Sequence, residues 1–365
     1  DAVVVARLRA AGAVITGKTT TFEFAIGVPD DEKPFPIPRN PWDVTRTPGG
    51  SSSGTGNGVA AGMFLGGLGT DTGGSIRWPA ALCGISGMKQ TFGRVPKSGC
   101  TPLGNSLDHI GPMARSAYDC ALLLQVLAGL DSSDPCTVDV PVPDYAAGIT
   151  GSLAGVRIGL DLLENTAPYR DPVLSDRMRA AADVLVAAGA QIVPITVPLY
   201  QELTDACQRT MMAEALAYQR GDLAERWADY GRTTRLTLAQ GAFISGADYV
   251  QMQRLRRVGQ RRMAELFTEV DLVLTPSTSS GALKLDDLDF DKIIGHVMTP
   301  VWNATGHPAM CIPIGFGSEE TPLSMQLTGR PFEETAVFNA GHAYQLATDW
   351  HLRVAPLVAD EPAFA

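Results

Sequence analysis

The strongest constraint on the fold is the alternation of strand-like and helix-like segments in the second half of the chain. Residues 156–160 and 191–197 are short apolar runs typical of buried strands. Between them, Asp171 and Pro172 predict the start of a helix, with Asp171 as the N-cap and Pro172 at the first helical position. The residues that follow have an apolar face that repeats at helical spacing. Further strands are predicted at 271–274, 310–314 and 324–327, and further helices over 199–268 and 333–350.

This alternation predicts an α/β fold: a single large domain, residues 1–365, with a mixed β-sheet of many strands covered by helices on both faces. The 365 residues are 45% hydrophobic, which is enough to bury a large core. No Pro/Gly/Ser-rich linker separates two cores.

Composition excludes some partners. The formal net charge of −10 argues against nucleic acid or an anionic membrane surface as the main partner. The basic cluster of Arg254, Arg256, Arg257, Arg261 and Arg262 is predicted to be a solvated helix face. The six cysteines are scattered without the spacing of a zinc site, so we expect most of them to be buried thiols, and we expect a cytoplasmic location and no metal.

The segment Gly12–Thr19, GAVITGKT, matches the pattern of a phosphate-binding loop. Such a loop follows a strand and opens a helix, whereas here a predicted helix comes first and ends at Gly12. We expect residues 13–16 to form a buried strand instead. Nucleotide binding is therefore the last of the alternatives.

Glycine is concentrated between Gly49 and Gly74, with eleven glycines in twenty-six residues. At the end of this segment the N–H groups of Thr72, Gly73, Gly74 and Ser75 can converge beside the Ser75 oxygen and form an oxyanion hole. Each such donor contributes about 2.7–4 kcal/mol to acyl transfer. A tight glycine turn without a ligand remains the alternative from these residues alone.

Gly50–Gly54 also matches the GxSxG nucleophile elbow, with Ser52 as the nucleophile. The elbow requires a strand directly before it, but Thr47–Gly49 is a turn signal. No motif provides a histidine partner, and we expect all five histidines to be core or surface residues.

Three segments, GGSSSGTGNGVAAG, GLGTDTGGSIRWPAALCGISGMKQTFGRVP and LGNSLDHIGPMARS, closely resemble the amidase signature family of serine hydrolases in order and spacing. The resemblance extends to the N-terminal DAVVVARLRAAGAVITGKTTTFEFAIG and to the C-terminal WNATGHPAMCIPIGF and LSMQLTGRPFEE. Only residues 200–265 lack its motifs, and the family resemblance implies that this variable helical region shapes the substrate pocket.

The resemblance implies roles for individual residues. Ser75 matches the nucleophile, and Ser51 matches the bridging serine that follows a cis peptide bond. The oxyanion donors fall on Thr72, Gly73, Gly74 and Ser75, as the local pattern indicates. The remaining matches hold the serines and the loop by hydrogen bonds: Ser52, Asp71 and Arg77. Ser53, often glycine in the family, is a small departure.

Three further residues are expected to approach the substrate pocket: Trp302, Asn303 and Thr275.

The base of the family is a neutral lysine, which the resemblance places upstream of Asp1 in a GxPxxxK-like segment. Lys18 matches a different family position. Because Asp1 falls within a pattern, we expect that an N-terminal portion is missing from this sequence. A truncated chain and a natural relative without the base are the other accounts.

The expected function is hydrolysis of a carbon–nitrogen amide bond, with aryl acylamides, esters and carbamates (urethanes) sharing the same chemistry. The expected route is a Ser–cisSer–Lys relay with an acyl-enzyme and no cofactor, acting on a small-molecule amide-type substrate. A homodimer is compatible with this reading. Two alternatives remain open: the glutamine-hydrolysing A subunit of a tRNA-dependent amidotransferase, and a non-catalytic relative lacking the lysine.

Overall fold

An eight-stranded mixed sheet forms the centre of the computed structural model, which describes residues 1–30 and 33–359. In chain order its strands are β1 (Gly66–Asp71), β2 (Ser86–Lys89), β3 (His109–Ala114), β4 (Arg157–Leu160), β5 (Gln191–Pro194), β6 (Leu272–Pro276), β7 (Ala309–Phe316) and β8 (Pro322–Gly329). Their order across the sheet is β1-β3-β2-β7-β8-β6-β4-β5. Strand β4 runs parallel to β5 and β6, and all other neighbours are antiparallel.

Twelve α-helices surround the sheet within the described ranges. They are α1 (Val3–Ala10), α2 (Ser53–Ala60), α3 (Arg77–Cys83), α4 (Ala117–Leu127), α5 (Leu174–Ala187), α6 (Tyr200–Arg226), α7 (Arg232–Ala239), α8 (Gly246–Glu269), α9 (Phe290–His296), α10 (Pro300–Thr305), α11 (Glu334–Leu346) and α12 (Pro356–Ala359).

Successive residues of the central strands alternate between two cores. Leu272 and Leu274 of β6 pack in the cluster that contains helices α4, α5 and α11, whereas Val273 packs with α6, α8 and α10. Because both faces are buried, β6 and β7 carry apolar residues on both faces. Strand β8 instead alternates its apolar residues with three buried polar ones, Ser324, Gln326 and Thr328. The predicted mixed sheet with helices on both faces is confirmed.

Two local predictions are wrong. Residues 13–16 are irregular and exposed, with Val14 87% accessible, because they pair with no strand of the described chain. Arg256 does not belong to the solvated face of α8. Its guanidinium turns inward and donates to the Ser106 hydroxyl at 2.8 Å and to the Ala304 carbonyl at 2.9 Å.

Of the helices described, none combines the length and the apolar character needed to span a bilayer.

Candidate active site

Two loops meet beside the edge of the sheet. One joins β1 to α3 and carries Thr72–Ser75, and the other precedes α2 and carries Gly50–Ser52. The Ser52 N–H donates to the Ser75 carbonyl at 3.2 Å, which ties the loops together. Ser51 and Ser75 line one cavity with Gly73 and Gly74, and the Gly50–Ser51 peptide bond is cis. The structure thus brings the two predicted catalytic serines to one place.

Two glycines, one in each loop, allow the loops to pack closely against neighbouring side chains. A Cβ on Gly50 would lie 2.4 Å from the Phe22 ring, and a Cβ on Gly74 would lie 2.1 Å from the Thr299 hydroxyl oxygen. Gly74 also has a φ of +138°, a conformation that L side chains rarely adopt. Packing therefore favours glycine at both positions, and backbone conformation adds a second reason at Gly74.

The N–H groups of Thr72, Gly73, Gly74 and Ser75 are available to a ligand. Within the described chain none of these four groups donates to a protein acceptor. The loop is nevertheless fixed at its base, where the Ile76 N–H donates to the Asp71 carboxylate at 3.3 Å. Fixed, unused donors beside a serine hydroxyl are what an oxyanion hole requires.

A buried ion pair anchors this loop. Arg77 donates to both carboxylate oxygens of Asp71 at 2.9 Å, and neither side chain is exposed to solvent. Burial alone raises the pKa of Asp71, but the charge and hydrogen bonds of Arg77 outweigh burial and hold that pKa well below its ordinary value. Both residues lie behind the loop, as the sequence predicts, and do not line the cavity.

Ser52 acts as a link between the two loops and β1. Its hydroxyl accepts from the Thr70 N–H at 3.1 Å and lies 3.3 Å from the Thr70 carbonyl. No strand precedes it, so the geometry of a nucleophile elbow is absent in this described segment. The hydrogen-bonding position predicted for Ser52 agrees with these contacts.

The three residues expected at the substrate pocket lie elsewhere. Trp302 packs inside the core against His307, and Asn303 donates to the Asp71 carboxylate at 2.8 Å. The Thr275 hydroxyl accepts from Gln326 at 3.2 Å. All three are at most 1% exposed, and none lines the cavity, because α10 and β6 present these side chains to the interior.

Lys89 and His109 form a buried polar cluster behind the loop. This cluster is not among the features predicted from the sequence. The Lys89 ammonium is fully buried, donates to the His307 carbonyl at 2.5 Å and lies 3.5 Å from His109 Nε2. His109 Nδ1 lies 3.2 Å from the Asp71 carbonyl, so this nitrogen carries the proton. Burial, followed by the charge of Arg77, lowers the pKa of Lys89 well below its ordinary value. The local sequence of β2, Ser86–Lys89, carries no signal that indicates this cluster.

Lys89 is not positioned as the base of the site. Among the described residues, no lysine lines the cavity that holds Ser51 and Ser75. Lys18, near the N-terminus, is exposed and does not line this cavity either. The described chain also contains no group of three or more His, Cys, Asp or Glu residues that could hold a metal ion.

The wall of the cavity is largely apolar, and besides the two serines its described lining has one polar side chain, Gln208. Of the residues that line it, none in the described chain carries a charge. Its large apolar side chains come from four separate parts of the sequence: Phe22, Ile26, Trp78, Met211, Phe290, Ile293, Ile294 and Val297. The cavity therefore presents an ester-forming hydroxyl and N–H donors on one side and a hydrophobic surface on the other.

Comparisons with known proteins agree with this geometry. The family model described as Amidase matches residues 1–338. The A subunit of glutamyl-tRNA(Gln) amidotransferase from Roseiflexus castenholzii is 38% identical, over 100% of this chain and 79% of its own length.

Among solved structures, the protein of the same name from Thermotoga maritima is 32% identical with a TM-score of 0.81, over 94% of this chain and 75% of its own. A bacterial aryl acylamidase of the amidase signature family is 26% identical with a TM-score of 0.87, over 99% of this chain and 78% of its own.

Proposed function

This chain belongs to the amidase signature family, whose members act on carbon–nitrogen amide bonds, and we propose that it hydrolyses an uncharged amide with an apolar acyl group. The observation that carries the proposal is the cavity wall, which lacks charged side chains throughout its described lining. An apolar acyl chain gains about 0.8 kcal/mol for each methylene that it buries there.

The chemistry follows from Ser75 and Ser51. The Ser75 oxygen attacks the carbonyl carbon and passes its proton to Ser51, whose own proton goes to the neutral lysine that the family resemblance implies. The N–H groups of Thr72–Ser75 stabilise the oxyanion. The carbon–nitrogen bond then breaks, and the leaving amine takes a proton from Ser51, which regains one from the protonated lysine. Water then attacks the acyl-enzyme by the same route and releases the acyl group as a carboxylic acid, with Ser75 restored. A cytoplasmic location remains part of this proposal and rests on the six unpaired thiols.

A second candidate is glutamine hydrolysis by the A subunit of an amidotransferase, which the names of the relatives in the sequence comparison favour. Glutamine carries an ammonium and a carboxylate on its α-carbon. Removing either charge from water without a partner costs several kcal/mol. In the described lining no side chain offers a counter-charge to either group, so the cavity itself favours the first candidate.

Pentanamide provides a matched test, because it has the carbon chain of glutamine without the two charged groups. We expect the full-length gene product to release ammonia from pentanamide with a kcat/KM about a hundredfold or more above that for glutamine. A preference for glutamine would instead establish the second candidate. Esters with the same acyl chain, and carbamates with a butyl group on nitrogen, then test which leaving groups are accepted.

A fluorophosphonate distinguishes both candidates from a non-catalytic relative. It should label the parent protein and leave Ser75→Ala unlabelled, because only an activated serine reacts. Absence of labelling in the parent would remove the hydrolase proposal altogether.

A further inference from the structure

Each peptide group of the donor loop is held by its carbonyl oxygen. The Asp71 carbonyl accepts from Asn303 at 3.1 Å, and the Thr72 carbonyl accepts from the Cys207 thiol at 3.5 Å. The Gly73 carbonyl accepts from the Thr299 hydroxyl, and the Gly74 carbonyl from the Trp78 N–H, both at 2.6 Å. In a trans peptide the C=O and the N–H point in opposite directions. Holding each carbonyl therefore aims the N–H of the next residue.

The contact made by Thr299 is the one whose loss should matter most, because it holds the peptide between two glycines. Gly73 and Gly74 have no Cβ to restrict rotation of the peptide group between them. Within the described chain the Gly73 carbonyl accepts from the Thr299 hydroxyl alone. Without this hydrogen bond the Gly74 N–H loses its fixed direction.

The Thr299 side chain is itself fixed. It is fully buried, and its main-chain carbonyl accepts from Arg77 at 3.0 Å. Within the described chain Thr299 does not line the cavity, so a substrate reaches Gly74 and not Thr299. The Asp71–Arg77 ion pair thus holds Thr299, and Thr299 holds the donor loop.

We propose that Thr299 is a positioning residue whose hydroxyl, by holding the Gly73 carbonyl, aims the Gly74 N–H at the oxyanion of the tetrahedral intermediate. This inference rests on the proposed amide hydrolysis at Ser75. Thr299 would thus contribute to the rate although its side chain contacts neither the substrate nor a catalytic serine.

Two substitutions separate the hydroxyl from the rest of the side chain. Thr299→Val replaces the hydroxyl by a methyl group of similar size, whereas Thr299→Ser keeps the hydroxyl and removes the methyl group. We expect Thr299→Val to lower kcat for pentanamide by about 10- to 100-fold, somewhat less than complete removal of an oxyanion donor. KM should stay within about twofold of the parent value, since the ground-state amide carries no oxyanion. Thr299→Ser should retain most of the parent kcat.

An aldehyde of the same acyl chain supplies the second readout, because its adduct with Ser75 carries the oxyanion. Its inhibition constant should rise in Thr299→Val by the same factor by which kcat falls. Fluorophosphonate labelling and the urea midpoint establish that the variant is folded with Ser75 accessible.

The outcomes are distinguishable. A parent that neither hydrolyses amides nor reacts with the fluorophosphonate would overturn the proposed function and this inference with it. An active parent whose Thr299→Val variant keeps both kcat and the aldehyde inhibition constant would overturn only the role of Thr299. Equal losses in Val and Ser variants would also overturn it, because the hydroxyl would then not be the group responsible.

Discussion

Protonation of His296 should destabilise the folded protein as the pH falls below neutrality. His296 Nε2 lies 2.9 Å from the Ser280 carbonyl, and Nδ1 accepts from the Trp78 indole N–H at 3.0 Å. The histidine therefore requires the neutral tautomer with hydrogen on Nε2. Burial lowers the pKa of His296 from 6.5 to about 4. Protonation would place two N–H groups against each other beside Trp78, which lines the cavity.

The magnitude follows from linkage between protonation and folding. In the unfolded chain His296 binds a proton below about pH 6.5, whereas in the folded protein it does so only near pH 4. Stability is consequently lost as the pH falls from 6.5 towards 4, by about 3 kcal/mol in all at 1.36 kcal/mol per pKa unit. Between pH 7 and pH 5 the loss due to this group amounts to about 2 kcal/mol.

Urea denaturation of the parent and of His296→Gln at pH 7 and pH 5 measures this loss. The glutamine side chain introduced by His296→Gln can accept a hydrogen bond from Trp78 and donate one to the Ser280 carbonyl, but it does not titrate. The parent should lose about 2 kcal/mol more than the variant between the two pH values, whatever the constant cost of the substitution. His342→Gln is the matched control, since His342 is only partly buried and should contribute a smaller pH dependence. Identical pH dependence in the parent and His296→Gln would refute the reasoning.

Two further predictions concern charge at the site. Asp71→Asn should lower the free energy of unfolding by about 3–5 kcal/mol, because it leaves the Arg77 guanidinium buried without its counter-ion; an unchanged urea midpoint would contradict this. The rate of amide hydrolysis should rise from neutral towards mildly alkaline pH, because a lysine base must lose its proton first; kcat/KM measured from pH 6 to pH 9 tests this, and a flat profile would count against a lysine relay.

Local patterns predicted those parts of the fold and site that depend on neighbouring residues. The apolar run of β6 indicated a strand buried on both faces, and the consecutive glycines before Ser75 indicated a loop of N–H donors. The segment 13–16 shows the limit of such patterns. Its β-branched residues favour a strand, but a strand forms only where a partner supplies the hydrogen bonds, and the described chain supplies none there.

Two supporting residues, Thr299 and Lys89, could not be predicted, because their contacts join distant parts of the chain. Thr299 lies 226 positions from Gly73, and Arg77 lies 222 positions from the Thr299 carbonyl that it holds. A threonine before a short helix and a lysine at the end of β2 have nothing in their local sequence that identifies them. Their positions follow from the tertiary fold: the sheet order places β2 beside β7, and the α9–α10 segment lies against the loop through the hydrogen bond from Thr299 to Gly73.

The α9–α10 segment joins substrate contact to catalytic geometry. Ile293, Ile294 and Val297 form part of the apolar wall, and two residues after Val297 the same backbone presents Thr299 to the Gly73 carbonyl. A change in the packing of α9 is therefore transmitted through a short, buried stretch to the direction of an oxyanion donor. Selectivity and rate are not independent in such a site, since a misplacement of about 1 Å in a catalytic group can cost a hundredfold in rate. A substrate that displaces the wall should lower kcat as well as raise KM, even though its reacting carbonyl is chemically unchanged.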